Sequence, residues 1–537
     1  MENKLRGMSL PTPRFLLDEM PESLHHVRGY SNLQTFFPTL TKVFRINKFQ
    51  SSKVWFDMPW RINSIDCSGG QGTCKVLLKE GQQLRTVDAY LKVTHLLDPI
   101  KWMQGHYSLP MEPGLPWHSK TWTAAWHKIQ DPCNQAYVEA MATYALSRLR
   151  ASGVSPHFNN FYGSFCARAE TYRFNINDDY SSFRNTRWFW NGTEKGLYKL
   201  SVKNTEDKPV PEEILRDILT KPEDYDEDED DELTDEELEC DDGTLESASL
   251  GSKSFASSDD EDDDDDDEQY IVYSDIPNFP VMLILTELNK NTMDSLLDAD
   301  KHTCKPGSAE WENMWSAWLF QVIAALCVMQ KVFGMTHNDL HTNNVVWSET
   351  TEEFLYYRDT QGSTWKVPTY GKIFRLIDFG RSIFTINGKM IISDDFRKGN
   401  DAEGQYNFKP LTGNPHEVVP PNASFDLARL AVSLFEAIFP TKPAEADSRK
   451  IISEEEGLVV RETVSSLYNC IWTWMVDDDD KNVLMEPDGS ERFPDFDLYK
   501  HIAAKIHNAE PAVQIHKLPF SQFKILDKVE KAYPLYC

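Results

Sequence analysis

HNDLHTNN, residues 337–344, places His, Asn, Asp, His, Asn and Asn within eight residues, directly after a strongly apolar segment. Three interpretations compete: a polar turn, a metal site built on His337 and His341, and the catalytic loop of a phosphotransferase. A zinc site would need a third ligand of the usual kind, and the neighbouring sequence offers none. It would also leave Asp339 and Asn344 without a role. The choice among the three interpretations therefore depends on motifs elsewhere in the chain.

A second polar break, IDFG at residues 377–380, ends an apolar strand pattern and delivers Asp378 to a loop tip. Phosphoryl transfer needs a cover for the phosphates, a lysine on them, an acidic partner for that lysine, a carboxylate near the attacking hydroxyl, and metal ligands. The two polar breaks offer the last two components, so the first three are expected upstream.

The upstream sequence offers a candidate for each of these components. The glycines of SGGQGT (Gly69, Gly70 and Gly72) let backbone N–H groups approach a phosphate without Cβ obstruction. Lys92 alternates with apolar neighbours on a predicted strand, and Glu139 lies on a predicted helix. Taken singly, each has a commoner explanation: a hairpin turn, a lysine that protects a sheet edge, and a solvated helix residue.

Together, HNDLHTNN and IDFG resemble the HRDLxxxxN-type loop and the DFG motif of the protein-kinase superfamily. His337 and Asp339 match the HRD positions, Asn344 matches the metal-binding asparagine, and Asp378 opens the DFG match. The resemblance covers residues 61–505 in broken form. HNDLHTNNVVW, VPTYGKIFRLIDFGRSIF and EPDGSERFPDFDLY are also similar to serine/threonine kinases of large nucleocytoplasmic DNA viruses.

The resemblance implies a role for each candidate. ATP is expected between two lobes, with Lys92 on its α/β-phosphates and paired with Glu139. Asp378 and Asn344 are expected to hold Mg²⁺, and Asp339 to orient the acceptor hydroxyl.

The resemblance also implies a nucleotide-binding hinge and a support for the catalytic loop. TELN would be the hinge, with Thr286 as gatekeeper and the backbone of Glu287 to Asn289 facing adenine. Asp426 matches the aspartate that supports the catalytic loop from a helix below it.

Four departures from the kinase pattern bear on function. Asn338 replaces the HRD arginine, so control by an activation-loop phosphate is not expected. His341 stands where serine/threonine kinases usually carry a lysine. This replacement weakens the serine/threonine label, and the resulting DLH sequence is similar to that of small-molecule kinases. Lys75 stands where the third glycine of the loop is expected. No clear APE motif is present, and Glu417 is the candidate substitute.

The expected fold class is α+β, namely a bilobal protein-kinase-like fold with a β-rich N-lobe and a mainly helical C-lobe. Residues 1–60 are assigned to an N-terminal extension without an interpretable motif, 61–289 to the N-lobe and 290–537 to the C-lobe. The first half is predicted to hold strands over 61–93 and one helix over 134–150. Later helices are predicted at 311–332, 424–439, 458–475 and 497–509. The N-lobe would contain a Trp-rich insert over 94–130 and a disordered acidic insert over 204–269.

The net charge of −30 is mostly local. Residues 221–268 hold 26 acidic residues and two lysines, so this segment carries −24 and the remainder of the chain −6. Such a segment cannot bury enough apolar surface to fold, and like charges extend it. A solvated spacer, a binder of basic proteins and an electrostatic lid over a cleft all remain open.

The composition fits a soluble, intracellular protein. Nine scattered cysteines without a CxxC pair favour a reducing compartment. If the protein is viral, the host cytoplasm or the virion is expected. The leading hypothesis is an ATP-dependent protein kinase with an unknown protein substrate, ATP and Mg²⁺, and neither nucleic acid nor membrane as partner. The alternatives are a small-molecule kinase and a pseudokinase scaffold that binds through the acidic insert.

Overall fold

The computed structural model describes residues 15–46, 53–68, 72–107, 123–205, 208–222, 270–298, 304–409, 411, 418–455, 458–527 and 529–537. Helices and strands are both abundant, which confirms the α+β class. Up to residue 287 the described chain is built around one large sheet, and we call this part the sheet region. The part from residue 291 onward has more residues in helices than in strands and is called the helical region.

The sheet region contains nine strands and seven helices among its described residues. Their bounds are β1 (Phe15–Leu17), β2 (Tyr30–Gln34), α1 (Pro38–Phe44), β3 (Val54–Phe56), β4 (Arg61–Asp66), β5 (Thr73–Glu80), β6 (Gln83–His95), α2 (Pro99–Met103), α3 (Thr123–Gln130), α4 (Gln135–Ala151), β7 (Phe161–Asn175), α5 (Asn177–Phe183), α6 (Arg187–Glu194), β8 (Lys199–Asn204), α7 (Glu212–Leu219) and β9 (Tyr270–Glu287).

Seven of these strands form an antiparallel sheet in the order β2-β7-β9-β6-β5-β4, with β8 paired to the outer part of β9. The three strands predicted over 61–93 are confirmed as β4, β5 and β6, which pair in succession. Gly81 turns the β5–β6 hairpin with φ of +59°, a conformation that glycine adopts without steric cost. β6 then pairs with β9 so that Lys92 lies opposite Ile284 in the middle of the sheet.

Helix α4 confirms the helix predicted over 134–150 and packs on β7 and β9. The side chain of Asn134 caps it by accepting a hydrogen bond from Ala136 N at 3.1 Å. Almost every residue of α4 is buried, including Glu139, which is only 4 % exposed. The alternative interpretation of Glu139 as a solvated helix residue is therefore wrong.

The expectation of a single helix in the first half is also wrong, because six further helices flank α4 in the sheet region. These helices are short and their stability comes from packing, which leaves little periodicity to detect in the sequence. The prediction of disorder over 204–269 is wrong for helix α7, which lies inside that segment, and residues 206–207 and 223–269 lie outside the described residues. Strand β2, from the predicted N-terminal extension, is an edge strand of the main sheet.

The helical region contains five helices and eleven short strands among its described residues. Their bounds are β10 (Asn291–Thr292), α8 (Ala309–Phe333), β11 (Val345–Glu349), β12 (Phe354–Arg358), β13 (Thr364–Pro368), β14 (Lys372–Leu376), β15 (Ile383–Ile386), β16 (Lys389–Ile392), α9 (Phe425–Ile438), β17 (Ile451–Glu455), β18 (Leu458–Arg461), α10 (Ser466–Trp474), α11 (Asp497–Lys505), α12 (Pro511–Gln514), β19 (Lys524–Ile525) and β20 (Tyr533–Pro534).

Helix α8 is the central core element of this region. Ser308 caps its start and Gly334, with φ of +56°, ends it. Among the described helices it is the one long and apolar enough to cross a membrane, and 83 % of that apolar stretch is buried inside the protein. The burial is what a core helix of a soluble protein shows.

The pairing of β11 with β14 brings the two sequence motifs together. Val345 lies opposite Leu376, and Ile377 N donates to Asn344 O at 3.0 Å. The residues between these strands form the β12–β13 hairpin, which β19 and β20 extend into a four-stranded sheet. The hairpin buries Tyr357 and Trp365 against α8, so the long connection is a structural addition and leaves the motif pairing intact.

The helix predicted over 458–475 is correct only in its second half. Leu458–Arg461 is strand β18, which pairs with β17, and α10 begins at Ser466. The valines in LVV favour a strand, and Ser465 starts the helix by accepting a hydrogen bond from Tyr468 N at 3.0 Å. The helix predicted over 497–509 ends earlier, at Lys505.

Candidate active site

A cavity of about 640 Å³ lies between the sheet region and the helical region. From the sheet region it is lined by parts of β5, β6, α4 and the end of β9. From the helical region it is lined by the segments around Asn344 and Asp378. The size suits a small organic ligand, since ligand pockets measure about 300–1,000 Å³.

Three charged residues from distant parts of the chain meet in this cavity. Lys92 Nζ lies 2.7 Å from Glu139 Oε1 and 2.8 Å from Asp378 Oδ1. Strand β6 supplies the lysine, helix α4 the glutamate, and the loop after β14 the aspartate. We call this set the lysine cluster. It brings together three of the predicted site residues, and the edge-strand interpretation of Lys92 is wrong because β6 is an interior strand.

The electrostatics of the lysine cluster follow from burial and pairing. Burial lowers the pKa of Lys92, but the charges of Asp378 and Glu139 outweigh burial and hold it above its ordinary value. Burial raises the pKa of Glu139 to about 7, against the opposing effect of Lys92. For Asp378, Lys92 outweighs burial and the pKa is lowered. The lysine is thus cationic at neutral pH, and Asp378 is anionic with 42 % of its side chain exposed.

The loop 337–341 is held from below by a buried carboxyl group. Asp426, at the start of α9, accepts hydrogen bonds from His337 N at 3.0 Å and Asn338 N at 2.9 Å. His337 is fully buried, donates from Nε2 to Ile377 O at 2.8 Å, and packs on Phe379. His337 is therefore a structural residue that joins the two motifs.

The side chain of Asn344 is hydrogen-bonded back to the loop that precedes it. Its Nδ2 donates to Asp339 O at 2.8 Å and to His341 Nε2 at 3.0 Å. These two bonds fix the orientation of the amide and engage its nitrogen rather than its oxygen. Burial lowers the pKa of His341, so its imidazole is neutral and acts as an acceptor here.

Two residues that the sequence prediction missed contact the carboxylate of Asp339. Tyr499, on α11, donates from its hydroxyl to Asp339 Oδ1 at 2.9 Å. Arg381 NH1 lies 3.7 Å from the same oxygen. The ring of Tyr499 stacks on Phe496 and lies under the guanidinium of Arg429 at 4.9 Å. We call Asp339, Arg381 and Tyr499 the aspartate cluster.

Asn338, at the position that was matched to the HRD arginine, links the loop to the segment after Asp378. It adopts a φ of +67°, its Nδ2 donates to Arg381 O at 2.9 Å, and its Oδ1 accepts from the Tyr406 hydroxyl at 2.8 Å. An amide meets the geometry of both partners without carrying charge. The position is thus committed to uncharged hydrogen bonds within the protein.

The segment after β16 joins the aspartate cluster to the start of α4. Asp394 accepts from Gln135 N at 2.9 Å and pairs with Lys128 Nζ at 2.7 Å. Its neighbour Asp395 pairs with Arg381 Nε at 3.4 Å. Asp394 therefore connects this segment to the helix that carries Glu139, and Asp395 connects it to the aspartate cluster.

The predicted hinge residues line the cavity, but their side chains serve mainly to brace it. Glu287 pairs with Arg150, and its backbone N–H donates to Asn160 O at 2.9 Å, so this donor is engaged in the sheet. The Asn289 amide donates to Asn159 Oδ1 at 3.0 Å and accepts from Arg375 NH1 at 3.0 Å. A side-chain contact from Glu287 or Asn289 to a ligand would have to compete with these bonds.

Of the predicted phosphate-binding glycines, Gly72 is described and Gly69 and Gly70 lie outside the described residues, as does Glu417. Gly72 has a φ of +75°, and its carbonyl accepts from Leu91 N at 2.6 Å. A Cβ there would lie 3.0 Å from Tyr90 Cε2, so glycine allows the turn to approach β6.

Among the described residues, no group of three His, Cys, Asp or Glu side chains is placed to hold a metal ion. Magnesium does not require such a group, because it is commonly bound by one or two side chains together with substrate phosphates and water. Asp378 and Asn344 fit that pattern. No protein-family model matches the chain, and no curated protein has a matching sequence.

Proposed function

We propose that this protein is an ATP-dependent protein kinase with a bilobal protein-kinase-like fold, which transfers the γ-phosphate to a serine or threonine hydroxyl. The observation that carries the proposal is the lysine cluster, in which a buried strand lysine pairs with a helix glutamate and with the aspartate of IDFG. Structural stability alone does not require this arrangement, since a buried ion pair is often no more stabilising than apolar residues of the same volume.

The residues of the cleft support nucleotide binding. Lys92 offers a cationic donor where the α- and β-phosphates would lie, and Glu139 and Asp378 hold its ammonium group in place. Asp378 and the fixed amide oxygen of Asn344 offer the two oxygen ligands that Mg²⁺ would use. Magnesium supplies neutralisation of the charge that develops between the β- and γ-phosphates.

Asp339 would act on the acceptor. Its carboxylate can accept the proton of an incoming hydroxyl and align the oxygen for in-line attack. Tyr499 and Arg381 contact one carboxylate oxygen, which orients the other toward the acceptor. Arg381 also places positive charge beside the position where the transferred group would pass.

A small-molecule kinase is the second candidate, and His341 is the observation that favours it. A lysine at this position usually contacts the γ-phosphate in serine/threonine kinases, whereas His341 is neutral and bonded to Asn344. A pseudokinase scaffold, the third hypothesis, would need neither the lysine cluster nor the aspartate cluster.

The test is transfer from labelled ATP with Mg²⁺ to a panel of basic and acidic proteins and to a pool of small metabolites. We expect labelled phosphoserine or phosphothreonine with the wild type and a loss of about 10²–10⁴-fold in Asp339→Asn, because the base is removed. Asp447→Asn, at an exposed position far along the chain, is the matched control and should retain activity.

The three hypotheses give different results in this experiment. Label in a metabolite and in no protein would favour the small-molecule kinase. No transfer to any acceptor or to the chain itself, together with no thermal shift from Mg-ATP, would overturn both kinase proposals and leave the scaffold. If label does appear in protein, we expect the acceptors to include basic proteins that bind the acidic insert, in the host cytoplasm or virion if the protein is viral.

A further inference from the structure

The Gly-rich turn is flanked by two cysteines whose sulfur atoms nearly touch. Cys74 Sγ lies 2.8 Å from Cys67 Sγ and donates its hydrogen to it. Two thiol–thioether contacts are wider, 3.5 Å for Cys166 with Met282 and 3.8 Å for Cys304 with Met314. We propose that Cys67 and Cys74 are a redox-modification site, at which glutathione disulfide converts the two thiols into a disulfide at the base of the Gly-rich turn.

The strand register supports this bond. The β4–β5 pairing ends with Asp66 opposite Lys75, so Cys67 and Cys74 are the next opposed positions. Opposed residues of antiparallel strands have Cα atoms about 4.5–5.5 Å apart. Disulfides span Cα distances of about 4.4–6.8 Å, with the sulfurs about 2.05 Å apart. Bond formation therefore needs a movement of less than an ångström at the sulfurs.

The two thiols have different roles in the exchange. Cys67 is partly exposed, and the hydrogen bond from Cys74 lowers its pKa, which favours its thiolate. Its sulfur attacks one sulfur of glutathione disulfide, forming a mixed disulfide and releasing one glutathione. Cys74 then attacks Cys67 Sγ and displaces the second glutathione. The protons of the two cysteines end on the two glutathione thiols, so the protein is oxidised by two electrons and the glutathione is reduced.

Cys74 is well placed for the second step only. It is 4 % exposed, which keeps it from the oxidant. Its hydrogen bond to Cys67 and its burial raise its pKa, and the hydrogen bond is lost once Cys67 carries glutathione.

The disulfide would restrain the start of β5, which borders the cleft. Thr73 and Tyr90 line the cavity, and Gly72 is bonded to Leu91 at the same place. We expect the oxidised protein to bind Mg-ATP about fivefold more weakly, the lower end of typical coupling between two sites. This second part rests on the proposed function, whereas formation of the disulfide does not.

The test is peptide mass spectrometry after incubation with glutathione disulfide, blocking of free thiols with iodoacetamide, and trypsin digestion. Cleavage after Arg61 and Lys75 releases residues 62–75, which contain these two cysteines and no other. In the oxidised sample we expect this peptide to carry no alkyl group and to lack two hydrogens, because its cysteines are joined. If dithiothreitol is added before iodoacetamide, the peptide should carry two alkyl groups. In Cys74→Ser, glutathione should stay on Cys67. In Cys67→Ser, Cys74 should stay unmodified, like the buried Cys166 of the wild type.

Two results would overturn the redox site: alkylation of both cysteines after oxidation of the wild type, or glutathione retained on wild-type Cys67. Titration with Mg-ATP tests the coupling, with Cys67→Ser as the variant that oxidation should not affect. Equal affinity of the reduced and oxidised wild type would refute the coupling. Absence of Mg-ATP binding in the reduced protein would refute the proposed function and leave the peptide result standing.

Discussion

The lysine cluster lines the cavity, whereas the aspartate cluster lies beside it and is joined to it through the bond between Asp339 and Asn344, and the two clusters are held in different ways. In the lysine cluster, Lys92 pairs directly with Glu139 and Asp378, so each side chain fixes the others. In the aspartate cluster, Asp339 depends on Tyr499 and Arg381, which are held in turn by other parts of the helical region. The first cluster is self-supporting, whereas the second relies on its surroundings.

The two clusters therefore differ in how strongly the position of their functional side chains depends on the surrounding fold. The three residues of the lysine cluster hold one another by direct ion pairs, so substitutions in other parts of the protein should disturb them little. A single carboxylate oriented by a tyrosine and an arginine is sensitive to every element that positions those two side chains. Substitutions should therefore have large effects in the lysine cluster and graded effects around Asp339.

After Asp339→Asn, the largest effect is expected from Lys92→Met. Loss of the ammonium group removes the donor for the phosphates, and removal of one such donor typically costs about 10²–10³-fold in turnover. Burial already raises the pKa of Glu139 to about 7 beside Lys92, so without the lysine its carboxyl should take up a proton and the fold should survive. Single-turnover transfer from labelled ATP measures the loss.

The matched control is Lys75→Met, on the neighbouring strand β5. Lys75 is 68 % exposed and pairs with the equally exposed Asp88 at 3.2 Å, and such surface pairs contribute little. This variant should transfer phosphate like the wild type. Full activity in Lys92→Met would contradict the role of the whole lysine cluster.

A smaller effect is expected from Tyr499→Phe, which removes one hydroxyl and keeps the ring on Phe496. A hydrogen bond to a charged group is worth about 1.5–3 kcal/mol, so kcat should fall about tenfold or more. Burial raises the pKa of Tyr499, so the phenol is a donor throughout the neutral range. The Michaelis constant for ATP should not change, because Lys92 and Asp378 are untouched.

Tyr499→Leu separates orientation from packing. It removes the stacked ring as well as the hydroxyl, and should lower both kcat and the melting temperature. If Tyr499→Phe lowered the melting temperature as much and left kcat unchanged, Tyr499 would be a packing residue and the aspartate cluster would not orient Asp339.

The same contrast explains how much could be predicted from sequence. Asp339, Asn344 and Asp378 lie within two short motifs, and the β11–β14 pairing joins those motifs directly. Lys92 and Glu139 were found because a strand and a helix occur in the expected order. Their meeting at 2.7 Å is a geometric fact that the order alone did not guarantee.

Tyr499 could not be found in this way. It lies 160 residues from Asp339, on a helix whose pattern is that of any half-buried helix, so no local signal distinguishes it. Arg381 directly follows Gly380, but its role depends on the fold of the segment that brings Asp395 to it. The strand at Leu458–Arg461 was missed for a similar reason, because its partner β17 decides its conformation.

The smallest effect on phosphate transfer is expected at Asp395, which links Arg381 to the segment that caps α4, and substitution there should change mainly the stability of the protein. Burial, opposed by Arg381, raises the pKa of Asp395 to about 7. A carboxyl group with a raised pKa in the folded state contributes stability that is fully present below its unfolded pKa, near 3.8, and is lost as the pH rises through 7. The free energy of unfolding of Asp395→Asn should therefore rise relative to wild type by up to about 1.4 kcal/mol per pH unit between pH 4 and 7.

Urea unfolding of both proteins across that pH range gives the difference directly, and Glu139→Gln provides the counterpart in the lysine cluster. The pKa of Glu139 is also raised to about 7, so both substitutions should reduce the same pH dependence. If Glu139→Gln alone reduced the pH dependence, the proton taken up near pH 7 would belong to the lysine cluster, and Asp395 would be ionised throughout this range.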